Sequence, residues 1–361
     1  MKILYVDTEQ VWRGGQEQLL TLMVGMKDRQ HSVWLAAPPK SPLSKKARET
    51  GIRTVPFNQR NELSPWAFFQ LWNILRKTDC DIIHLNTSRT ILCAGLASKL
   101  CGVPFQVCSR RVNFPLKSRF SRLKYNWMQD SVVTVSHSIR QTLIEGGIRP
   151  ELINVIYEGV DLNWIDLLKP PPLAHAKNGL VVGTVAHLSP EKGHHTLLEA
   201  AAKVVYGFPD VVFVFVGAGH LRSELEKKVQ ELSIQEHVVF SGFRSDSEAL
   251  MKNFDIFCLP SLSEGLSSAI LVAMASRLPV VTTRVGGIPE LVVDGETGIL
   301  VPPNDAEQLA AALSKILGSR DLRQKMGNAG RRRVKETFTL KRKLDETEDL
   351  YSRLLASAGI G

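Results

Sequence analysis

Short apolar runs alternate along this chain with longer stretches whose apolar positions recur at helical spacing. Lys2–Asp7 reads as a strand and Gln16–Arg29 as a helix. The alternation continues through Ser32–Ala37, Leu43–Thr50, Arg53–Pro56, Pro65–Lys77, Asp81–Leu85, Arg89–Leu100 and Pro104–Cys108. It closes with Ser131–Val135, Ser138–Gly146 and Asn154–Ile156. A second series runs through Leu180–Ala186, Gly193–Tyr206, Val211–Val216, Leu221–Leu232, Val238–Phe240, Ser247–Asn253, Asp255–Leu259, Ser267–Arg277 and Val280–Thr283. Residues 305–317 and 319–335 read as helices, and Leu340–Ala358 is a long helical pattern. Strands separated by helical segments build βαβ units and a parallel sheet. Between the two series, residues 163–178 contain Pro170-Pro171-Pro172, a stiff connector that cannot join a sheet. The fold class expected is α/β: two doubly wound domains, 1–165 and 166–339.

Composition narrows the class. With 44% hydrophobic and 22% charged residues, the 361-residue chain suits a soluble protein with about two cores. No apolar run approaches the roughly 18–20 residues of a membrane helix. The start, Met1–Asp7, is a strand broken by an acid and is not expected to be a secretory signal. Cys80, Cys93, Cys101, Cys108 and Cys258 lack metal-ligand spacing and read as buried thiols of a cytoplasmic protein. The net charge of +9 is lopsided: residues 1–165 carry 22 Lys and Arg against 13 Asp and Glu, whereas 166–361 carry 23 of each. A field of that kind favours an anionic partner for the first half.

The stretch with most chemistry is Pro260–Ala275. An apolar strand leads into a turn, and a helix capped by Ser267 or Ser268 leads out. Such a helix points its free N–H groups above the sheet, a geometry suited to a pyrophosphate. Glu264 sits at the mouth of the turn, able to accept hydrogen bonds from hydroxyls; a solvated glutamate on an ordinary turn would look the same. Gly14-Gly15 forms an expected loop after the first strand, where a ligand can approach the main chain. Ser109-Arg110-Arg111 follows the strand ending at Cys108, and an arginine there can clamp a phosphate or carboxylate. The stretch Arg110–Lys124 adds Lys117, Arg119 and Arg122, contains no acid, and interleaves Phe114, Leu116, Phe120 and Leu123. It suits an anionic membrane surface, or equally a solvated helix with its apolar side in the core. No nucleic-acid-binding pattern is visible. There is no Asp-x-Asp or histidine-rich metal signature, and His194-His195 reads as surface.

Ser261-Leu262-Ser263-Glu264-Gly265-Leu266, Ala273-Met274-Ala275, Pro279-Val280-Val281 and Gly286-Gly287-Ile288-Pro289-Glu290 resemble the donor-binding half of family 4 glycosyltransferases. The resemblance extends over nearly the whole chain. It implies the GT-B architecture, two Rossmann-like domains facing each other across a cleft, with the segment 340–358 packing back on the first. It implies transfer from a nucleotide sugar, UDP-linked on this reading, with retention of configuration and no required cofactor or metal.

The same resemblance distributes roles. Glu264 would hold sugar hydroxyls, Lys192 and His187 the pyrophosphate, and the N–H groups of Gly265, Leu266, Ser267 and Ser268 the distal phosphate. The turn at Gly217 and the loop at Gly242-Phe243 would complete the donor side. Gly14, Gly15, Glu17, Arg110 and Arg111 would face the reacting centre and acceptor. Tyr157-Glu158-Gly159-Val160-Asp161 resembles the family's Asn-Gly-Val-Asp turn, with Glu158 replacing the asparagine. Three more positions depart from the pattern: Arg110 stands for a histidine, His187 for an arginine, and Val272 for a second glutamate eight positions after the first. The acceptor expected is anionic or lipid-linked, lipopolysaccharide included, reached at the inner face of a membrane. Two rivals stay open, a nucleotide-sugar epimerase on the same fold and a non-catalytic glycan- or nucleotide-binding subunit.

Overall fold

The computed structural model describes residues 1–116, 118–172 and 179–357. They divide into two compact units, Met1–Gly159 with the segment from Leu340 onward, and Val160–Thr339. In the first unit the strands are β1 (Lys2–Val6), β2 (Ser32–Ala37), β3 (Arg53–Pro56), β4 (Ile82–Leu85), β5 (Phe105–Arg110), β6 (Ser131–Thr134) and β7 (Ile153–Val155). The helices between them are α1 (Gly14–Asp28), α2 (Pro42–Glu49), α3 (Pro65–Thr78), α4 (Ile91–Cys101), α5 (Arg119–Met128) and α6 (His137–Glu145). The sheet is parallel throughout, in the order β3-β2-β1-β4-β5-β6-β7. β4 and β6 are buried along their whole length because helices cover both faces.

The second unit opens with α7 (Leu162–Leu167). It continues β8 (Val181–Val185), α8 (His194–Val204), β9 (Val212–Val216), α9 (Arg222–Glu231), β10 (Val238–Gly242), α10 (Ser247–Met251), β11 (Ile256–Leu259), α11 (Ser268–Ala275) and β12 (Val280–Thr283). It ends α12 (Ile288–Leu291), β13 (Gly298–Val301), α13 (Ala306–Leu317) and α14 (Arg320–Thr337). Its sheet is also parallel, in the order β10-β9-β8-β11-β12-β13. The chain runs outward from β8 in one direction and from β11 in the other. The loops after β8 and β11 therefore part at their carboxyl ends and leave a crevice, the place where open α/β sheets take ligands.

The last helix, α15 (Leu340–Ser357), belongs to the first core: Leu344, Leu350, Tyr351 and Leu355 pack with Ile3, Tyr5 and Leu19. Gly25 makes this possible, since a Cβ there would lie 2.5 Å from the Leu344 methyls. Ala358, the expected end of this helix, lies outside the described residues.

Several expectations need correction. The domain boundary falls after Gly159 rather than after residue 165, because α7 is capped by Asp161 and packs against α11. Residues 163–172 are accordingly packed within the second unit and not a free connector. Lys252 donates to the Leu168 carbonyl at 2.6 Å, and Asn253 to that of Pro171 at 2.8 Å. The rest of the expected connector, 173–178, lies outside the described residues. Gly14-Gly15 is not a loop but the first turn of α1. β13 had no expected counterpart: its run after Gly298 is too short to announce itself until it finds β12. His194 is buried against Phe215, not on the surface, and Cys101 is half-buried where a buried thiol was expected.

Candidate functional site

In the second unit the crevice between β8 and β11 is walled by residues 186–193 and 260–267. A backbone bond ties the walls together, from the Leu262 N–H to the Glu191 carbonyl at 2.8 Å. They also touch at Gly193, whose φ is +67° and whose missing Cβ would sit 1.9 Å from the Pro260 carbonyl oxygen. Only glycine satisfies both demands.

Across this contact Lys192 meets Glu264, Nζ to Oε1, at 2.6 Å. Ser261 Oγ donates to the same oxygen at 2.8 Å. Oε2 receives no hydrogen bond from the described residues. Glu264 is 8% exposed and Lys192 is partly covered. The carboxylate thus keeps one oxygen able to accept a further hydrogen bond. The ammonium, with three N–H groups and one engaged, keeps two able to donate. Gly265 and Leu266 are buried beneath this turn, and Ser267 caps α11 with φ +79°. At the mouth, the first N–H groups of α11, which lack intrahelical acceptors, carry the positive end of the helix dipole. Val272 is half-buried in the second turn of that helix.

His187 lies beyond the end of β8, and its carbonyl accepts a bond from His194 Nε2 at 3.1 Å. Burial above all pushes the His194 pKa down to about 4, so the ring is neutral and donates from Nε2. Its Nδ1, the acceptor in that tautomer, is buried with no partner among the described residues. Gly217 and Gly242 join the ends of β9 and β10 through a 2.8 Å backbone bond, and the neighbouring Phe243 is 64% exposed. The carboxyl ends of β8, β9, β10 and β11 thereby bring together every residue expected on the donor side except Val272, which sits a turn up the helix.

The first unit holds a second polar centre. Asp7, buried at the end of β1, accepts from Gln16 at 3.2 Å, from Asn86 at 2.5 Å and from the Glu9 N–H at 2.8 Å. Arg111 donates to Asn86 and, at 2.7 Å, to Glu158. Lys343 of α15 closes the set, donating to Glu158 and, at 2.8 Å, to Gln18. Burial alone would push the Glu158 carboxyl up, but the charges of Lys343 and Arg111 hold it below the usual range. Glu158 therefore fixes two cations rather than making a turn. Gly15 faces the Arg111 stem, which lies 3.6 Å from where its Cβ would be; Glu17 follows in the same helical turn.

Arg110 does not share this centre. β5 runs to residue 110, so its guanidinium is turned inward, 9% exposed, donating to Tyr125 OH at 3.3 Å and to the Phe114 carbonyl. The expectation that Arg110 faces reacting groups is corrected: it is the last residue of a strand buried along its whole length, and Arg111 stands beside the glycines. Asp7, Asn86 and Lys343 went unnoticed in the sequence. A strand ending in an acid was the only signal for Asp7; nothing local marks Lys343, which comes from the far end of the chain.

Two family models match, Glycosyltransferase Family 4 over residues 12–164 and Glycosyl transferases group 1 over 168–333. The chain belongs to glycosyltransferase family 4. It is 30% identical over 305 residues to the Escherichia coli UDP-Gal:alpha-D-GlcNAc-diphosphoundecaprenol alpha-1,3-galactosyltransferase, covering 79% of this chain and 78% of that one. It is 30% identical over 237 residues to the lipopolysaccharide core biosynthesis glycosyltransferase LpsE of Rhizobium meliloti, covering 66% and 67%. Among solved structures, Anabaena HepE in complex with UDP-glucose superposes with a TM-score of 0.87 at 24% identity, over 98% of this chain and 100% of that one. The glycosyltransferase therefore has the GT-B fold and is a transferase, which removes both the epimerase and the non-catalytic readings. Among the described residues no cluster of His, Cys, Asp and Glu is placed to hold a metal, and no helix is long and apolar enough to cross a membrane.

Proposed function

We propose that this glycosyltransferase moves a sugar from a UDP-sugar, with retention, onto a lipid-linked or lipopolysaccharide acceptor. The observation that carries this reading is the Lys192–Glu264 pair at the mouth of α11. As the glycosidic bond breaks, negative charge grows on the departing diphosphate. Lys192 and the N–H groups of Gly265–Ser268 meet that charge with little reorganisation, which lowers the barrier. Glu264 Oε2 takes sugar hydroxyls, His187 a phosphate oxygen, and the exposed Phe243 with Gly242 and Gly217 flanks the base. In the first unit, Arg111 beside Gly14-Gly15 is better placed than Arg110 to meet reacting groups.

The UDP-sugar donor is supported by the solved relative bound to UDP-glucose, and the acceptor by the activities of the Escherichia coli and Rhizobium meliloti relatives. No cofactor enters the chemistry proposed. Contact with an anionic membrane at its cytoplasmic face is supported by α5. There Phe120, Leu123 and Trp127 are 47%, 51% and 73% exposed on one stripe beside Arg119 and Arg122. Lys117 of the same basic stretch lies outside the described residues.

The test is Glu264→Gln assayed with a panel of UDP-sugars. Turnover should fall at least a hundredfold while UDP binding survives, because the amide keeps the shape but not the charge that positions Lys192. Normal turnover in that variant would remove Glu264 from the site.

A further inference from the structure

The first sheet has its own parting of loops, after β1 and β4, and a cavity of about 520 Å³ opens there. Its walls come from the loops after β1, β3 and β4 and from α5. The cavity is built rather than incidental. Gln59, 4% exposed, donates through Nε2 to the carbonyls of Asn61 at 3.0 Å, Glu62 at 3.3 Å and Arg89 at 3.1 Å, fastening two walls together. Thr8 and Thr87 join the loops after β1 and β4, hydroxyl to hydroxyl, at 3.0 Å.

Its charge is unevenly satisfied. Lys124, 5% exposed, pairs with Glu62, and Arg89 lies 3.9 Å from Glu9. Arg60 has no ion pair among the described residues. One guanidinium and one loosely held arginine are thus on offer beside the hydroxyls of Thr87 and Ser121. The rim is of opposite character. Leu63, next to Glu62, is 72% exposed. On α5, Ser121 and Lys124 line the cavity while the exposed stripe of Phe120, Leu123 and Trp127 runs outside it.

We propose that this cavity takes the phosphate-bearing head of an amphiphilic acceptor, with the apolar chain leaving along the α5 stripe. Arg60 and Arg89 meet the phosphate, and Thr87 and Ser121 hydrogen-bond the head. This rests on the lipid-linked reading of the acceptor and gives it a place in the first unit.

The test is calorimetric titration of the whole chain with farnesyl diphosphate below its micellar concentration, with inorganic pyrophosphate, and with UDP. The proposal expects farnesyl diphosphate to bind at least tenfold tighter than pyrophosphate. Arg60→Gln/Arg89→Gln should weaken both at least tenfold and leave UDP affinity unchanged. Phe120→Ser/Leu123→Ser should remove only the advantage of the farnesyl chain; all four side chains are exposed, so both variants should keep the wild-type melting temperature. Equal binding of both phosphates by the arginine variant and the wild type would overturn the proposal, as would a farnesyl chain that adds nothing. Loss of UDP binding in the wild type, with farnesyl diphosphate still bound, would instead count against the donor reading and support this one.

Discussion

At the scale of single residues, the proposed donor crevice is decided by which polar atoms are already used. Glu264 spends one oxygen on Lys192 and Ser261 and keeps the other. Val272 keeps nothing, since valine has no acceptor where the family places a second glutamate. On that proposal the ribose hydroxyls are bound elsewhere, through water, or less firmly. A charged hydrogen bond is worth about 1.5–3 kcal/mol, roughly ten- to a hundredfold in affinity. Val272→Glu should therefore tighten UDP binding within that range, less the cost of desolvating the new carboxylate on a half-buried site. It should tighten the 2′,3′-dideoxy analogue far less. Calorimetry on both ligands checks this, and equal gains would mean that the ribose does not lie over α11. Arg110 and Arg111 make the complementary point. Adjacent in sequence, they differ because the last residue of a buried strand points inward and the next does not.

At the scale of elements, the crevice depends on two loops held at contact distance. Gly193 is the pivot, with its positive φ and its approach to Pro260. In Gly193→Ala the left-handed backbone costs about 1–3 kcal/mol. Displacing the Pro260 carbonyl adds about as much again. A loss of about 2–6 kcal/mol in urea denaturation is expected, together with weakened UDP binding because Lys192 and Glu264 no longer meet. A variant of wild-type stability would show that the loops are not locked there. The Gly14-Gly15 turn teaches a related lesson. Its glycines open a helix and give the Arg111 stem room, rather than supplying a special backbone conformation.

At the scale of the whole molecule, each unit buries one neutral histidine among the described residues. His84 lies in the first core, bonded to Tyr351 at 2.5 Å and Ser109 at 2.6 Å. Burial, reinforced by the nearby Arg111 and Lys343 charges, pushes its pKa down to about 3. His194 in the second unit is pushed down to about 4, again mainly by burial. Both folded values lie below the reference of about 6.5, so the unfolded chain binds more protons once pH falls beneath that reference. Stability contributed by the neutral rings is full above it and drains away toward the folded values. From pH 7 to pH 5 each ring should cost its unit about 2 kcal/mol. Urea midpoints at the two pH values should fall accordingly, and unchanged midpoints would show that neither ring is buried neutral.

The sequence by itself determined the class of the fold and the strand–turn–helix around Glu264. Strand and helix periods, proline punctuation and the Ser261–Leu266 motif are local properties, fixed by side-chain chemistry over a few residues. Helix capping by Ser267 was legible for the same reason. Only the tertiary structure decided which of two arginines points where, that Lys192 and Glu264 meet, and that Lys343 reaches Glu158 from the other end of the chain. It also decided that residues 163–172 pack instead of linking. These outcomes depend on burial and on long-range distance. A buried charge takes whatever partner the fold brings within reach, and no spacing along the chain encodes that.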